Sequence, residues 1–213
     1  MTSDTDLYKA WAEGDTAAAT TLVQRHIAQV GRFFSNKVAD AMDTEDLVAR
    51  TFEICAQKLG SFRGDSRFRT YLFGIAHNVL RDYVKRRSRQ PDLDFEITMI
   101  KDIAPSPSVV VGERKEQTLL LEAMRSIPVA YQVALELAFF EELTQAEIAE
   151  LLGVPPGTVA SRIRRGKQQL LERLEALADT RELLDSTLSS LADWSRSIRK
   201  LLGKADGEPA NDG

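Results

Sequence analysis

Apolar residues recur at the spacing of an α-helix along two long blocks of this chain, which are separated by a polar stretch. No segment alternates between apolar and polar positions over the length of a β-strand. Glycine and proline are also sparse inside both blocks. The pattern predicts an all-α fold made of two small helical domains. We expect helices near residues 4–13, 16–39, 44–59 and 66–88, and again near 110–126, 128–140, 144–152 and 155–178.

The stretch between the two blocks differs from both of them in composition. Residues 91–112 are rich in acidic side chains and include Pro105 and Pro107 close together, which is typical of a flexible acidic linker. Beyond the second block we expect one more amphipathic helix, near 180–202, and then a small polar tail. These features predict a first domain at 1–90, a linker at 91–112, a second domain at 113–175 and a C-terminal extension at 176–213.

A tight turn in the second block separates two helices in the manner of a helix-turn-helix. Thr144 and Glu147 have the spacing of a capping box, in which each side chain accepts a hydrogen bond from the other residue's backbone N–H. Gly153 can end this first helix in a left-handed conformation. Pro155 and Pro156 suit the first turn of the helix that follows.

The second helix of this pair should carry a basic outer face. Val159, Ile163 and Leu170 point inward at helical spacing, which leaves polar and cationic residues outside. Arginine can bind guanine edges in the major groove, and serine or threonine can bind phosphates or bases. We predict a duplex DNA contact, with a plain helical hairpin and a solvated arginine face as the alternative. The predicted contacts are Thr158, Ser161, Arg162, Arg164, Arg165 and Lys167.

Charge is distributed unevenly, although the whole chain has a net charge of −4. That total argues against a simple DNA-binding protein, which is usually basic. However, residues 61–90 carry eight basic and two acidic side chains, and residues 160–173 carry five basic and one acidic. Two basic islands in an otherwise acidic chain predict two nucleic-acid contacts and weak overall affinity for free DNA.

The first basic island mixes cations with aromatic rings along one predicted helix. Four apolar residues share one face of that helix and should be core: Phe68, Leu72, Ile75 and Val79. A neighbouring stripe contains Arg67, Tyr71, Gly74, Asn78, Arg81 and Lys85. Cations for phosphates, a ring for stacking and a glycine for close approach are the parts of a platform for single-stranded nucleic acid. A solvated charged face is the alternative interpretation of this stripe.

Few other chemical sites can be built from this sequence. The single cysteine, Cys55, excludes an internal disulfide and a cysteine-based metal cluster. His26 and His77 lack visible partners, and we expect His77 on the solvent side of its helix. The sequence contains no HExxH pair, P-loop or nucleophile elbow, so we expect no enzyme activity, cofactor or metal.

The sequence also predicts a cytoplasmic protein with no membrane contact. No apolar run approaches the roughly 18 residues that cross a bilayer. The N-terminus is acidic and lacks the apolar centre of a signal peptide.

Five short motifs in order along the chain resemble the extracytoplasmic-function branch of bacterial sigma factors. They are DTEDLV at 43–48, SFRGDS at 61–66, YLFGIAHN at 71–78, LTQAEIA at 143–149 and GTVASR at 157–162. The resemblance covers about residues 7–173. It implies a promoter-specificity factor that acts with core RNA polymerase on duplex and single-stranded promoter DNA. It also makes an anti-sigma factor a common partner.

The resemblance implies roles for particular positions. Polymerase binding falls on Asp43, Glu45, Asp46, Leu47, Val48 and Phe52, although acids also favour a helix N-terminus for its dipole alone. Promoter melting and capture of an unstacked base fall on Phe62, Arg63, Arg67, Tyr71, Asn78, Arg81 and Lys85. The second domain would read the upstream promoter element.

Three positions depart from the family's usual residues. Ala160 stands where the family often has a basic residue, and Gly74 where it often has arginine. Gly166 replaces a common alanine inside the recognition helix, at a cost of about 1 kcal/mol in helix propensity. These departures bear on the promoter sequence that is recognised and leave the class of protein unchanged.

The C-terminal extension lies beyond the resemblance. Its apolar stripe includes Leu184, Leu188 and Leu191, which a solvated helix would not need. We expect the extension to dock within the chain or on a partner and tune activity, or else simply to extend the second domain's core. For the whole protein, the alternative to a sigma factor is a stand-alone helix-turn-helix regulator, which would leave the first basic island unexplained.

Overall fold

The computed structural model describes residues 2–38, 40–62, 64, 66–88, 94–100 and 115–189. Within these ranges the regular structure is helical, apart from one isolated antiparallel bridge between Met99 and Pro128. The predicted all-α fold is therefore confirmed. No helix in the described ranges is long and apolar enough to cross a bilayer.

Four helices form the first domain: α1 (Asp4–Ala12), α2 (Thr16–Ser35), α3 (Ala41–Gln57) and α4 (Phe68–Ser88). The first three begin at polar N-caps, because the side-chain oxygens of Ser3, Asp15 and Asp40 accept hydrogen bonds from the first free backbone N–H groups. Their apolar faces meet in a core in which Leu22, Phe34, Leu72, Phe73 and Leu80 are completely buried.

Four further helices form the second domain: α5 (Lys115–Arg125), α6 (Val129–Phe139), α7 (Gln145–Leu152) and α8 (Pro156–Leu177). Helix α6 lies in the centre, and all its residues except Ala138 are buried. The predicted helix-turn-helix consists of α7 and α8. Thr144 and Glu147 form the predicted capping box, and Gly153 ends α7 with φ at +65°.

Gly166 allows α8 to approach α6 closely. A Cβ atom at this position would lie 3.1 Å from both Tyr131 Cβ and Leu135 Cδ1, which is closer than ordinary van der Waals contact. The lower helix propensity of glycine is thus accompanied by a close contact between helices. This packing explains why Gly166 replaces the larger residue expected from the family resemblance.

Residues 181–189 form a further helix, α9, which lies against the second domain. Leu184 and Thr187 are buried there, and Ser186 Oγ donates a hydrogen bond of 2.9 Å to Glu116 Oε1 in α5. The described start of the C-terminal extension is therefore docked within the chain. The later part of the predicted helix lies outside the described residues.

The two domains pack directly against each other. Helix α4 of the first domain contacts α7 of the helix-turn-helix, and the end of α2 contacts α6. Residues 94–100 of the predicted linker lie on α6, where the N–H groups of Val129 and Ala130 donate to the carbonyls of Thr98 and Phe95 at 2.8 and 3.0 Å. The other residues of the predicted linker lie outside the described ranges.

Candidate nucleic-acid interface

Helix α8 presents the basic face that the sequence predicts. Val159, Ile163 and Leu170 are buried, as their spacing requires. Arg164, Arg165 and Lys167 are exposed, whereas Thr158 and Ser161 are half-buried. The ammonium of Lys167 also lies 5.0 Å from the centre of the Phe139 ring. Much of the predicted reading surface is therefore open to a partner.

Arg162 differs from the other predicted contacts on α8, because it faces the linker. Its side chain is only 16% exposed, and its Nε and Nη2 atoms lie 2.8 and 2.5 Å from Glu96 Oε1. Glu96 belongs to the acidic segment between the domains. A residue predicted to contact DNA is thus held by a carboxylate of the same chain.

Helix α4 has the two faces that the sequence predicts. Phe68, Leu72, Ile75 and Val79 are buried in the core. In the neighbouring stripe Arg67, Asn78, Arg81 and Lys85 are accessible at the surface, and Tyr71 and Gly74 are half-buried. Arg63, another predicted contact, lies outside the described residues.

An aromatic cluster fixes Phe62 and Tyr71 at the start of α4. Their ring centres lie 5.3 Å apart, and Tyr8 of α1 contacts them at 5.2 and 6.1 Å. Tyr71 Oη and Ser61 Oγ are 2.9 Å apart, and burial raises the pKa of Tyr71 to about 12. Sequence reasoning missed Tyr8, because this residue lies more than 50 positions before Phe62 and on another helix.

The helix-turn-helix covers part of the stripe on α4. Tyr71, Gly74 and Asn78 line a cavity of about 600 Å³ whose other wall includes Glu150 and Leu151 of α7. A Cβ atom at Gly74 would lie 3.9 Å from Leu151 Cγ. The small residue at Gly74 leaves room for Leu151 of the second domain beside the predicted single-strand platform.

Glu147 of α7 makes polar contacts with Arg67 and Thr70 at the start of α4. Its Oε1 atom lies 3.7 Å from Arg67 Nε and accepts a 3.4 Å hydrogen bond from Thr70 Oγ1. Burial by itself would raise the pKa of Glu147, but hydrogen bonds from Thr144 and the charge of Arg67 bring the pKa below its usual value. The capping-box carboxylate thus stabilises α7 and contacts α4 as well.

Buried ionic contacts join the domains at the end of α2. Lys37 Nζ is fully buried and forms an ion pair with Glu136 of α6. Beside it, Arg32 Nη2 lies 2.8 Å from Glu141 Oε1. Burial lowers the pKa of Lys37, and the Glu136 carboxylate opposes that shift. Sequence reasoning missed this pair, since its members are 99 positions apart.

The expectations for both histidines were wrong. His77 does not point to open solvent: it lines a cavity between the domains, and burial followed by the charges of Arg81, Arg162 and Lys37 lowers its pKa to about 4. His26 is buried and has partners, because its Nε2 lies 2.8 Å from Asp4 Oδ2 and its Nδ1 lies 3.2 Å from Gln29 Oε1.

The predicted polymerase-binding residues of α3 fall into two groups. Glu45 and Asp46 are exposed and Phe52 is half-buried, so these side chains can reach a partner. Leu47 and Val48 are buried in the first domain. Asp43 is held from α4, because its Oδ2 accepts from Tyr83 Oη at 2.8 Å and from Arg87 Nη1 at 3.0 Å.

No metal site accompanies these surfaces in the described part of the chain, where no group of His, Cys, Asp and Glu residues could hold an ion. Cys55 is buried, and burial raises the pKa of its thiol to about 12. This cysteine therefore remains a protonated core residue at neutral pH.

Comparison with known proteins gives two family matches in one chain. Residues 22–90 match Sigma-70 region 2, and residues 117–170 match Sigma-70, region 4. The ECF RNA polymerase sigma-E factor of Escherichia coli K12 is 30% identical over 185 residues, which cover 82% of this chain and 96% of that protein. The RNA polymerase sigma-H factor of Pseudomonas aeruginosa is 29% identical over 185 residues, covering 82% of this chain and 95% of the relative.

Two solved structures have a similar fold. CnrH in complex with the cytosolic domain of CnrY superposes with a TM-score of 0.59 at 26% identity, covering 82% of this chain and 99% of that one. The sigma factor RpoE of Bartonella quintana, in complex with the anti-sigma factor NepR, gives a TM-score of 0.58 at 19% identity, with 75% and 98% covered. The second likeness concerns the fold alone.

The chain has a helical domain that matches region 2, followed by a helix-turn-helix domain that matches region 4. This combination defines an RNA polymerase sigma factor, which is a transcription initiation factor. The two basic surfaces belong to these two matched regions. The chain belongs to the extracytoplasmic-function (ECF) family of sigma factors.

Proposed function

We propose how this sigma factor divides promoter recognition between its parts. Residues 1–90 bind core polymerase and melt the promoter, residues 91–112 connect the domains, residues 113–175 read the upstream element and residues 176–213 are an accessory extension. The single observation that carries this division is the presence of two separate basic surfaces, on α4 and α8, in an acidic chain. A duplex reader alone would need only one of them.

The upstream element is read by α8. Its exposed Arg164 and Arg165 lie one turn beyond Ser161, so all three can reach one major groove. The full contact set comprises Thr158, Ser161, Arg162, Arg164, Arg165 and Lys167. While the two domains are packed together, which we call the closed arrangement, the carboxylate of Glu96 binds the guanidinium of Arg162. Arg162 can therefore contact DNA only after it separates from Glu96.

The melted strand is held by the start and exposed stripe of α4. Phe62 and Tyr71 supply rings, Asn78 supplies an amide, and the cations bind phosphates. The aromatic cluster with Tyr8 supports this role, because a rigid pocket limits the entropy lost when a base is captured. The contact set comprises Phe62, Arg63, Arg67, Tyr71, Asn78, Arg81 and Lys85.

Core polymerase binds α3. Glu45 and Asp46 form its exposed acidic surface, and Phe52 adds an apolar contact. Leu47 and Val48 act from inside the domain by fixing the helix, since both are buried. Asp43 contributes through its contacts with Tyr83 and Arg87, which join α3 to α4.

The closed arrangement is the form that precedes DNA binding. Leu151 and Glu150 lie over part of the α4 platform, so Tyr71 and Gly74 are only partly accessible to a single strand until the domains separate, although Asn78 is exposed. The contacts that separate include ion pairs, whose charges water can solvate afterwards. Binding to core polymerase in the cytoplasm would favour the separated form, and no catalytic activity of the chain itself is needed.

Regulation falls to an anti-sigma partner or to the extension of this chain. A sigma factor with a similar fold, RpoE, was solved with the anti-sigma factor NepR, and CnrH was solved with the cytosolic domain of CnrY. The docking of α9 on α5 supports a role within the chain. A chain ending at Ala178 separates the possibilities: altered initiation supports regulation, whereas unchanged initiation with a lower melting temperature means that the extension only completes the core.

Transcription by core polymerase tests the proposed function. A promoter library is transcribed with and without the full chain, and we expect a defined set of start sites only with it. The variants Asn78→Ala and Gln24→Ala then compare the platform with an exposed amide on α2. Duplex binding without initiation on any promoter would contradict the proposal and favour a stand-alone helix-turn-helix regulator.

A further inference from the structure

A second cavity, of about 240 Å³, lies between the two domains and away from Phe62 and Tyr71. One wall is α4, another consists of Leu152, Val154 and Arg162 of the helix-turn-helix, and the linker and α6 complete the lining. Four basic side chains from both domains line it: His77, Arg81, Lys85 and Arg162. The cavity therefore exists only while the two domains are packed together.

The charges around this cavity are not balanced. Arg162 is paired with Glu96. By contrast, Arg81 and Lys85 form no ion pair with any carboxylate of the described residues. His77 is neutral near pH 7, because burial and the neighbouring cations lower its pKa to about 4. Its imidazole can still donate one hydrogen bond. Among the residues that the structure describes, three permanent cations thus face a single carboxylate.

We propose that this cavity binds a small phosphorylated anion that bridges Arg81 and Lys85 of the first domain to Arg162 of the second. Guanidinium groups match phosphate oxygens in pairs, and a lysine adds a point charge. Pockets for drug-sized ligands measure roughly 300–1,000 Å³, so a cavity of about 240 Å³ suits a smaller ligand. Phe95 and Val133 provide apolar contact for its non-phosphate part.

The DNA backbone offers the same phosphate chemistry, but the location of the cavity favours a small ligand. Both domains form its walls, and it would cease to exist if they separated to admit a strand. A bridging anion has the opposite effect, because it neutralises cations of both domains at once and stabilises the closed arrangement. Arg81, Lys85 and Arg162 would then be withheld from promoter DNA, a consequence that rests on the proposed function.

Titration calorimetry of the full chain with sodium pyrophosphate tests the site, with sodium chloride at equal ionic strength as the reference. We expect saturable binding of one pyrophosphate. Arg81→Gln and Arg162→Gln should each weaken it at least tenfold, whereas Arg86→Gln should leave it unchanged. Arg86 is the matched control, an exposed arginine of α4 that does not line the cavity. Equal weakening by all three variants, or a chloride effect of the same size, would overturn the proposal.

Two variants at residues that do not line the cavity distinguish a bridging anion from a DNA phosphate contact. Glu136→Gln and Lys37→Met remove the buried interdomain ion pair without touching the cavity lining. Both should weaken pyrophosphate binding about tenfold while improving binding of a single-stranded decathymidylate, provided that circular dichroism shows folded helices. If pyrophosphate binding survives in both folded variants, each domain binds phosphate alone and the bridging site is refuted. Initiation assays without pyrophosphate test the sigma function separately.

Discussion

The two basic helices of this sigma factor, α4 and α8, differ in how far the rest of the chain covers them. Helix α8 keeps Arg164 and Arg165 exposed, whereas the stripe of α4 around Gly74 lies beneath α7. Both helices carry basic residues at similar density, so their sequences alone do not distinguish them. The difference teaches that exposure of a basic face is set by interdomain packing, and that the face of α4 is the more covered of the two.

The largest expected effect is the loss of stability when the buried ion pair that holds the two domains together is broken. Glu136→Gln leaves the ammonium of Lys37 buried without its partner, which should cost about 3–5 kcal/mol. Chemical denaturation measures the loss. Glu53→Gln makes the same chemical change in an exposed pair with Arg50, where we expect about 0.5 kcal/mol or less. Similar losses in both variants would mean that the buried pair does not hold the domains together.

The open surface of α8 can be tested by removing one of its exposed arginines. Arg165→Ala should weaken binding to the upstream element by about 1–3 kcal/mol if the side chain contacts a base. Electrophoretic mobility shifts with the holoenzyme, on the preferred and on mutated elements, measure this. A loss that is equal for all sequences would identify a phosphate contact instead, and Arg165 would then position the helix without selecting the sequence.

The packing beneath α8 should respond to a single added methyl group. Gly166→Ala gains about 1 kcal/mol of helix propensity but places a Cβ atom 3.1 Å from Tyr131 and Leu135. Overpacking of a core costs about 1–3 kcal/mol, so we expect a net destabilisation of about 1 kcal/mol. Gly31→Ala in α2 is the control. An added Cβ atom there would meet nothing within 4 Å beyond its chain neighbours and its own helix backbone, so we expect a small gain in stability. Thermal unfolding compares the two, and a stabilised Gly166→Ala would show that α8 can move away from α6.

The smallest expected effect concerns pH and the contact between α7 and α4. The folded-state pKa of Glu147 lies below its ordinary value of 4.5, so its ionised form stabilises the folded protein above that value. This contribution, about 1 kcal/mol for a capping interaction, is lost as the pH falls through the folded-state pKa. The stability difference between wild type and Glu147→Gln should therefore shrink as pH falls from 6 to 3. A constant difference would assign the effect to something other than ionisation.

Local features of this protein were predictable because they depend on neighbours in sequence. The capping box of Thr144 and Glu147, the left-handed turn at Gly153 and the buried face of α8 all involve residues within one or two turns of each other. The core face of α4 was predictable for the same reason. The roles of the individual DNA and polymerase contacts stay predictions, which the experiments above address.

Other features depended on residues far apart in the chain. Tyr8 supports the ring of Phe62 from another helix, and His77 faces a cavity because α8 and the linker are packed beside it. Nothing near Lys37 in the sequence distinguishes it from a solvated lysine. Its burial follows only from the approach of α6, which brings Glu136 to it across 99 positions.

The sequence by itself thus determined the class of protein, through five motifs that resemble a known family. It also determined the helices and the two basic faces, since periodicity, caps and charge are local properties that each segment carries alone. Only the tertiary structure decided which of those faces is open. That choice depends on interdomain contacts such as Leu151 against Gly74 and Glu96 against Arg162. The ionic contacts balance the cost of desolvating two charges against the gain from pairing them, and this balance exists only once the domains have met.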